Sequence, residues 1–196
     1  MTFVRLLVAG WIVLLVGSHA TAGDVCTYNP PLTAGSYVPA FALDGDVLTP
    51  KVFDETTLRQ YPSTKVNVVY GAGAGIVSGS FVGVLLWDLI KEAGVVVDPT
   101  RKNDQLRKSI VISASDGYQA VLALGEIIPD FGGEQVIVAY EQDGQPLGPD
   151  QGMARLVIPG DKRGGRHVNR ITQIAVCGIA SDQKNEKEEH SKGKGR

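Results

Sequence analysis

The stretch Val66–Gly94 reads VNVVYGAGAGIVSGSFVGVLLWDLIKEAG, and its two ends keep different periods. Val66–Tyr70 is β-branched and aromatic, bounded by Lys65 and a run of glycines, which is the pattern of a strand. From Gly83 to Gly94, Leu85, Leu86, Leu89, Ile90 and Ala93 fall on one helical face, with Lys91 and Glu92 opposite. Gly94 is placed to end that helix. A strand, then glycines, then a helix suggests a dinucleotide-binding turn, and Asp98 stands where a ribose-binding acid would. The spacing argues against it. No G-x-G-x-x-G threads through Gly71, Gly73, Gly75 and Gly79, and the helix opens eight residues beyond Gly75. A loop of that length does not deliver a helix N-terminus to a pyrophosphate.

Strands dominate the rest. Ser109–Ala114 turns at Asp116-Gly117 into Tyr118–Leu124, a hairpin signal, and Val136–Tyr140 runs into a second turn at Asp143-Gly144. Arg155–Ile158 and Ile171–Val176 complete the set, and six prolines between Pro62 and Pro159 fall between elements. With 43% hydrophobic side chains in 196 residues, the chain suits one core, and a single α+β domain is the economical expectation.

Both ends fall outside that domain. Arg5, the apolar run Leu6–Val16 and Ala20-Thr21-Ala22 have the order of a secretory signal cut after Ala22. The apolar run is too short to span a bilayer, so no integral membrane span is expected. Residues 1–22 are thus expected to be a signal peptide, residues 23–180 the domain, and residues 181–196 a disordered charged tail. The compartment is then oxidising, periplasmic or extracellular. The only two cysteines, Cys26 and Cys177, flank the domain and are expected to form a disulfide.

Residues 23–180 carry 13 basic and 17 acidic side chains, which argues against nucleic-acid binding. His167 is the one histidine among them, so paired-histidine zinc sites and H-E-x-x-H proteases are excluded. Ser78 in G-I-V-S-G misses the spacing of a nucleophile elbow. The chemically suggestive segment is Pro159–Arg170, PGDKRGGRHVNR. Lys162, Arg163, Arg166 and Arg170 stand against a single acid, Asp161. Gly160, Gly164 and Gly165 allow the backbone N–H groups to form an anion-holding nest. The segment is either the anion-binding part of a site or a solvated turn; a small anionic ligand suits it better than duplex DNA. Arg166 is the first choice for an oxyanion contact, and Asp116 and Tyr118 on the D-G-Y turn are placed to approach the same cleft.

Four motifs in this order, GVLLWDLI, DGYQAVLALGEI, VAYEQDGQPL and RLVIPGDKRGGRHVNRI, resemble the sulfite-oxidase-like, molybdopterin-binding oxidoreductase domain. The resemblance covers about residues 66–176 and implies a mixed α+β sheet structure with barrel-like portions. It implies that Arg166 and His167 lie at a pterin cofactor, with Lys162, Arg163, Gly164 and Gly165 near it. It also implies a cysteine ligand to molybdenum just after the strand Val66–Tyr70. This chain has Gly71 there, or Tyr70 if the register slips by one, and neither is a thiol. Soft thiolate ligation anchors such a metal, so no cysteine-ligated molybdenum is expected. Two functions follow: an exported domain binding a small anionic, pterin-type ligand without redox chemistry, or a molybdopterin-dependent oxidoreductase with atypical metal ligation. A structural or partner-binding module is the third alternative.

Overall fold

A computed structural model of the chain describes residues 39–178. The expected signal peptide, Cys26 and the charged tail lie outside them. The first half of the fold runs β1 (Ala40–Gly45), β2 (Lys51–Asp54), α1 (Glu55–Leu58), β3 (Ser63–Ala72), β4 (Gly75–Leu85) and α2 (Leu86–Ala93). The second half runs β5 (Lys108–Ala114), β6 (Gln119–Ala123), α3 (Leu124–Ile127), β7 (Ile137–Gln142), β8 (Gln145–Pro146), β9 (Arg155–Val157) and β10 (Ile171–Gly178).

One sheet has the order β2-β1-β10-β5-β6, with β1 and β10 parallel and the other pairs antiparallel. The other has the order β3-β4-β7-β8, and β9 also pairs with β7. The fold is mostly sheet with few helices. Neither strand order closes on itself, so the barrel-like portions implied by the resemblance are not shown among the described residues.

The segment Gly75–Leu85, part of which was expected to open the helix, is a strand throughout. Gly83 explains why. A Cβ there would lie 2.3 Å from the Val138 carbonyl oxygen, so glycine allows β7 to close onto β4 at an irregularity in their register. The helix therefore begins at Leu86, and Leu86, Leu89, Ile90 and Ala93 form its buried stripe. Gly94, at φ +72°, ends it as expected, its N–H donating to Ile90 and Lys91 carbonyls at 3.0 and 3.2 Å. The glycine run becomes the tight turn of the β3–β4 hairpin, with Ala72 paired to Gly75. Asp143 and Gly144 both take positive φ, the two-residue turn that matches strand twist.

The main core joins β1, β5 and β10 (Phe41, Leu43, Ile110, Ile112, Ile174) to α2 and to Val138 and Leu156. A second cluster under the hairpin gathers Val66, Val68, Tyr70, Phe81, Ile137 and Val157. Tyr70 is thus anchored from below, at the end of β3 where the chain turns toward the cationic loop.

Candidate functional site

A cleft of about 490 Å³ opens where three segments meet: the end of β3 (Tyr70 to Gly73), Arg155 at the start of β9, and the loop carrying Arg163, Gly164, Gly165, His167 and Asn169. The loop is fastened to β3 by its backbone. Gly71 N–H donates to the Lys162 carbonyl at 3.0 Å, and Gly71 and Arg163 form a short parallel bridge. Gly164 packs on the Tyr70 ring so closely that a Cβ would lie 2.7 Å from it. From the other sheet the Tyr118 hydroxyl donates to the Gly165 carbonyl, and Asp116 pairs with Arg170 at 2.8 Å. The D-G-Y turn, expected to approach the cleft, touches the loop instead, and neither Asp116 nor Tyr118 lines the cleft.

The four loop cations divide into two pairs. Arg166 spends its fork on Asp161, at 2.7 and 3.0 Å, and its remaining Nη on Glu126 of α3 at 3.0 Å. Asp161, then Glu126, hold its charge more firmly than usual. Arg170 is taken by Asp116. Lys162 and Arg163 have no ion-pair partner among the described residues, and only Arg163 lines the cleft. Arg166, the first choice from sequence, thus braces the loop against α3, because Glu126 lies 40 residues away in sequence and close by in the fold.

Sequence reasoning missed Arg155 as a site residue. It is 7% exposed, donates one hydrogen bond to the Tyr70 hydroxyl and lies 5.0 Å over the Phe81 ring. No carboxylate pairs with it among the described residues, and its Nε has no partner. The one signal available was an arginine opening an apolar strand, RLVI, with no acid beside it. His167 stacks on Tyr70 at 4.3 Å between ring centroids, with both ring nitrogens buried and the Ile158 backbone beside them. Asn169 Oδ1 is buried without a partner. Burial first, then Arg155, push His167 down to about 4, and Asp161 opposes without offsetting them. The imidazole is neutral at pH 7.

The profile of the oxidoreductase molybdopterin binding domain matches residues 40–185. The chain belongs to this family. Mitochondrial sulfite oxidase of Drosophila melanogaster is 31% identical over 164 residues, covering 79% of this chain and 28% of that protein. Among solved structures, the sulfane dehydrogenase SoxCD of Paracoccus pantotrophus matches with a TM-score of 0.59 and 22% identity. That match covers 76% of this chain and 40% of the other. The chain therefore spans under a third of the length of the curated relative.

The cleft's residues fit an anionic, pterin-type group. Buried there without partners, Arg155 Nε and Asn169 Oδ1 are a donor and an acceptor left for a ligand. At Gly71, a Cβ would meet Arg163 Nη1 at 2.9 Å, so the guanidinium covers the position where a side chain would stand. Cys177 lies near the far end of β10 from the cleft, about 20 Å along the strand at some 3.3 Å per residue. No group of three metal-binding side chains occurs among the described residues.

Proposed function

We propose that this chain is an exported member of the molybdopterin-binding family that holds a small anionic, pterin-type ligand in this cleft. One observation carries it: Arg155 is a buried guanidinium without a carboxylate among the described residues, its Nε unpartnered, on the same cleft as the buried, unpartnered amide oxygen of Asn169. A buried unpaired charge is costly, and an anionic ligand removes that cost. Arg155, Arg163, His167 and Asn169, with the backbone of Gly71–Gly73 and Gly164–Gly165, would hold the ligand. Molybdopterin, when bound, supplies a metal held by its own sulfurs and hence oxygen-atom transfer. In this proposal no protein cysteine ligates that metal, and sulfite oxidation is weak or absent. The separation of Cys177 from the cleft and the Arg163 side chain over Gly71 support that view.

The second reading is an active molybdopterin-dependent oxidoreductase with atypical ligation, favoured by the fact that both named relatives are enzymes. No nucleic-acid partner is proposed. No helix among the described residues is long and apolar enough to cross a membrane.

The test uses full-length protein exported from a molybdenum-replete host, assayed for bound metal and extractable pterin, then titrated with inorganic phosphate. Phosphate should bind, and Arg163→Ala should weaken it by about tenfold or more, the loss of one charge-assisted contact of roughly 1.5–3 kcal/mol. Arg166→Ala should change affinity less, because its donors serve Asp161 and Glu126. Stoichiometric molybdenum with robust sulfite turnover would select the second reading. Equal affinity for wild type and Arg163→Ala would remove Arg163 from the site.

A further inference from the structure

We propose that the Tyr70 hydroxyl is a ligand contact of the cleft, giving its hydrogen to a bound oxyanion and so admitting only an acceptor edge there. The inference rests on the cleft being an anion site and adds which side of a ligand meets the end of β3. What carries it is an unspent hydrogen in a fixed place.

Tyr70 is 5% exposed and lines the cleft together with Arg155 and Arg163. Its oxygen accepts from Arg155 Nη2. A guanidinium has no lone pair to take a hydrogen in return, so that bond leaves the phenolic O–H unused. No acceptor among the described residues takes it. Tyr118 is the contrast, because its hydroxyl spends its hydrogen on the Gly165 carbonyl and it does not line the cleft. A buried hydroxyl that accepts without donating is only half satisfied.

The hydroxyl is also held in position. His167 stacks on the Tyr70 ring, Gly164 lies so close that a Cβ would stand 2.7 Å from Cε2, and Val66, Val68 and Phe81 share its hydrophobic cluster. Arg155, itself 5.0 Å over the Phe81 ring, fixes the oxygen. A donor held this way needs little ordering to meet a ligand. The bond from Arg155 polarises the O–H and strengthens it as a donor, so the arginine acts on an anion through Tyr70 as well as directly.

One hydrogen sets a chemical preference. A phosphate, sulfonate or carboxylate oxygen accepts it. An N–H edge turned to the same place would set donor against donor, and the N–H groups of Arg155 and Arg163 would add to the mismatch. The acceptor-only edge of a ligand therefore belongs at the Tyr70–Arg155 pair. Its N–H groups are left for Asn169 Oδ1, a buried acceptor on the same cleft.

The experiment is calorimetric titration of the full chain with inorganic phosphate, paired with infrared spectra of protein carrying ring-labelled tyrosine. Tyr70→Phe keeps the ring and removes the hydroxyl. It should bind phosphate about tenfold or more weakly, the worth of one hydrogen bond to a charged group. A displaced Arg155 would also weaken binding, and the spectrum separates the two causes. Phosphate should move the tyrosine C–O stretch further toward that of a donating hydroxyl, since a charged oxygen accepts more strongly than water. Tyr70→Phe should lose that shift. Unchanged affinity in Tyr70→Phe, or phosphate binding without the shift, would overturn the proposal and leave the anion site standing. Absence of phosphate binding to wild type would overturn the anion site itself, and the proposal with it. If Tyr70→Phe fails to fold, Tyr118→Phe decides, because it removes the other tyrosine hydroxyl that touches this loop. A phosphate-induced shift that survives in Tyr118→Phe supports Tyr70 as the donor, and one that vanishes overturns the proposal.

Discussion

Arg155 sits in the interior beside His167 with no carboxylate partner among the described residues and its Nε unpaired, whereas Arg166, two glycines into the cationic loop, is held by Asp161 and Glu126. Local sequence could not separate these cases. Counting cations against Asp161 suggests excess positive charge in the loop, but the balancing acids, Glu126 and Asp116, arrive from other elements. The imidazole carries a pH consequence of its own. In the unfolded chain it takes a proton near 6.5, and in the ligand-free fold only near 4. Between those values the unfolded state binds more protons, so stability falls as pH drops through that window and levels off below it. From pH 7 to pH 5 the contribution is about 2 kcal/mol. In anion-free buffer, urea unfolding of wild type should show a loss of that order, and His167→Gln should lack most of it. Parallel pH profiles for the two proteins would show that the imidazole is not held neutral by the fold.

Among the elements, the β3–β4 hairpin and α2 show how far local pattern reaches. The strand Val66–Tyr70, the buried stripe of α2 and its glycine stop were legible, because each is written in a period or in a single backbone requirement. The start of the helix was not. Leu85 fits a helical stripe and a strand equally well, and the pairing of Val84 with Val138 decides for the strand. Two glycines of this hairpin should respond unequally to the same substitution. Gly83→Ala places a methyl against the Val138 and Ala139 backbone, at 2.3 and 2.5 Å, and should cost about 2–4 kcal/mol. Gly73→Ala, at the tip, meets no atom within 4 Å and should stay within about 0.5 kcal/mol of wild type. Chemical denaturation of the two variants compares them directly, and similar losses would contradict the close approach of β7 to Gly83.

For the whole molecule, one prediction concerns the covalent link between the ends of the domain. Cys177 lies near the end of β10, and Cys26 lies outside the described residues. A bridge between them would close a loop of some 150 residues, which the chain-entropy model values at about 5 kcal/mol. Non-reduced peptide mapping of exported protein should recover the linked pair and begin the mature chain at Gly23. Two freely alkylated cysteines would exclude the bridge. The α+β class, the strand-rich body and the family were all readable without coordinates. They rest on hydrophobic periods, turn residues and four motifs in order, and each of these is a property of contiguous residues. Of the cleft's lining, Gly71, Arg163, Gly164, Gly165 and His167 were named from sequence through the resemblance, whereas the place of Arg155 among them was decided only by the tertiary structure. Tyr70, Arg155 and His167 are brought together by β3, β9 and a loop fastened to β3, and whether a cation is spent or left for a ligand depends on carboxylates distant in sequence. Charge pairing is set by separation in space, and contiguous residues carry no record of it.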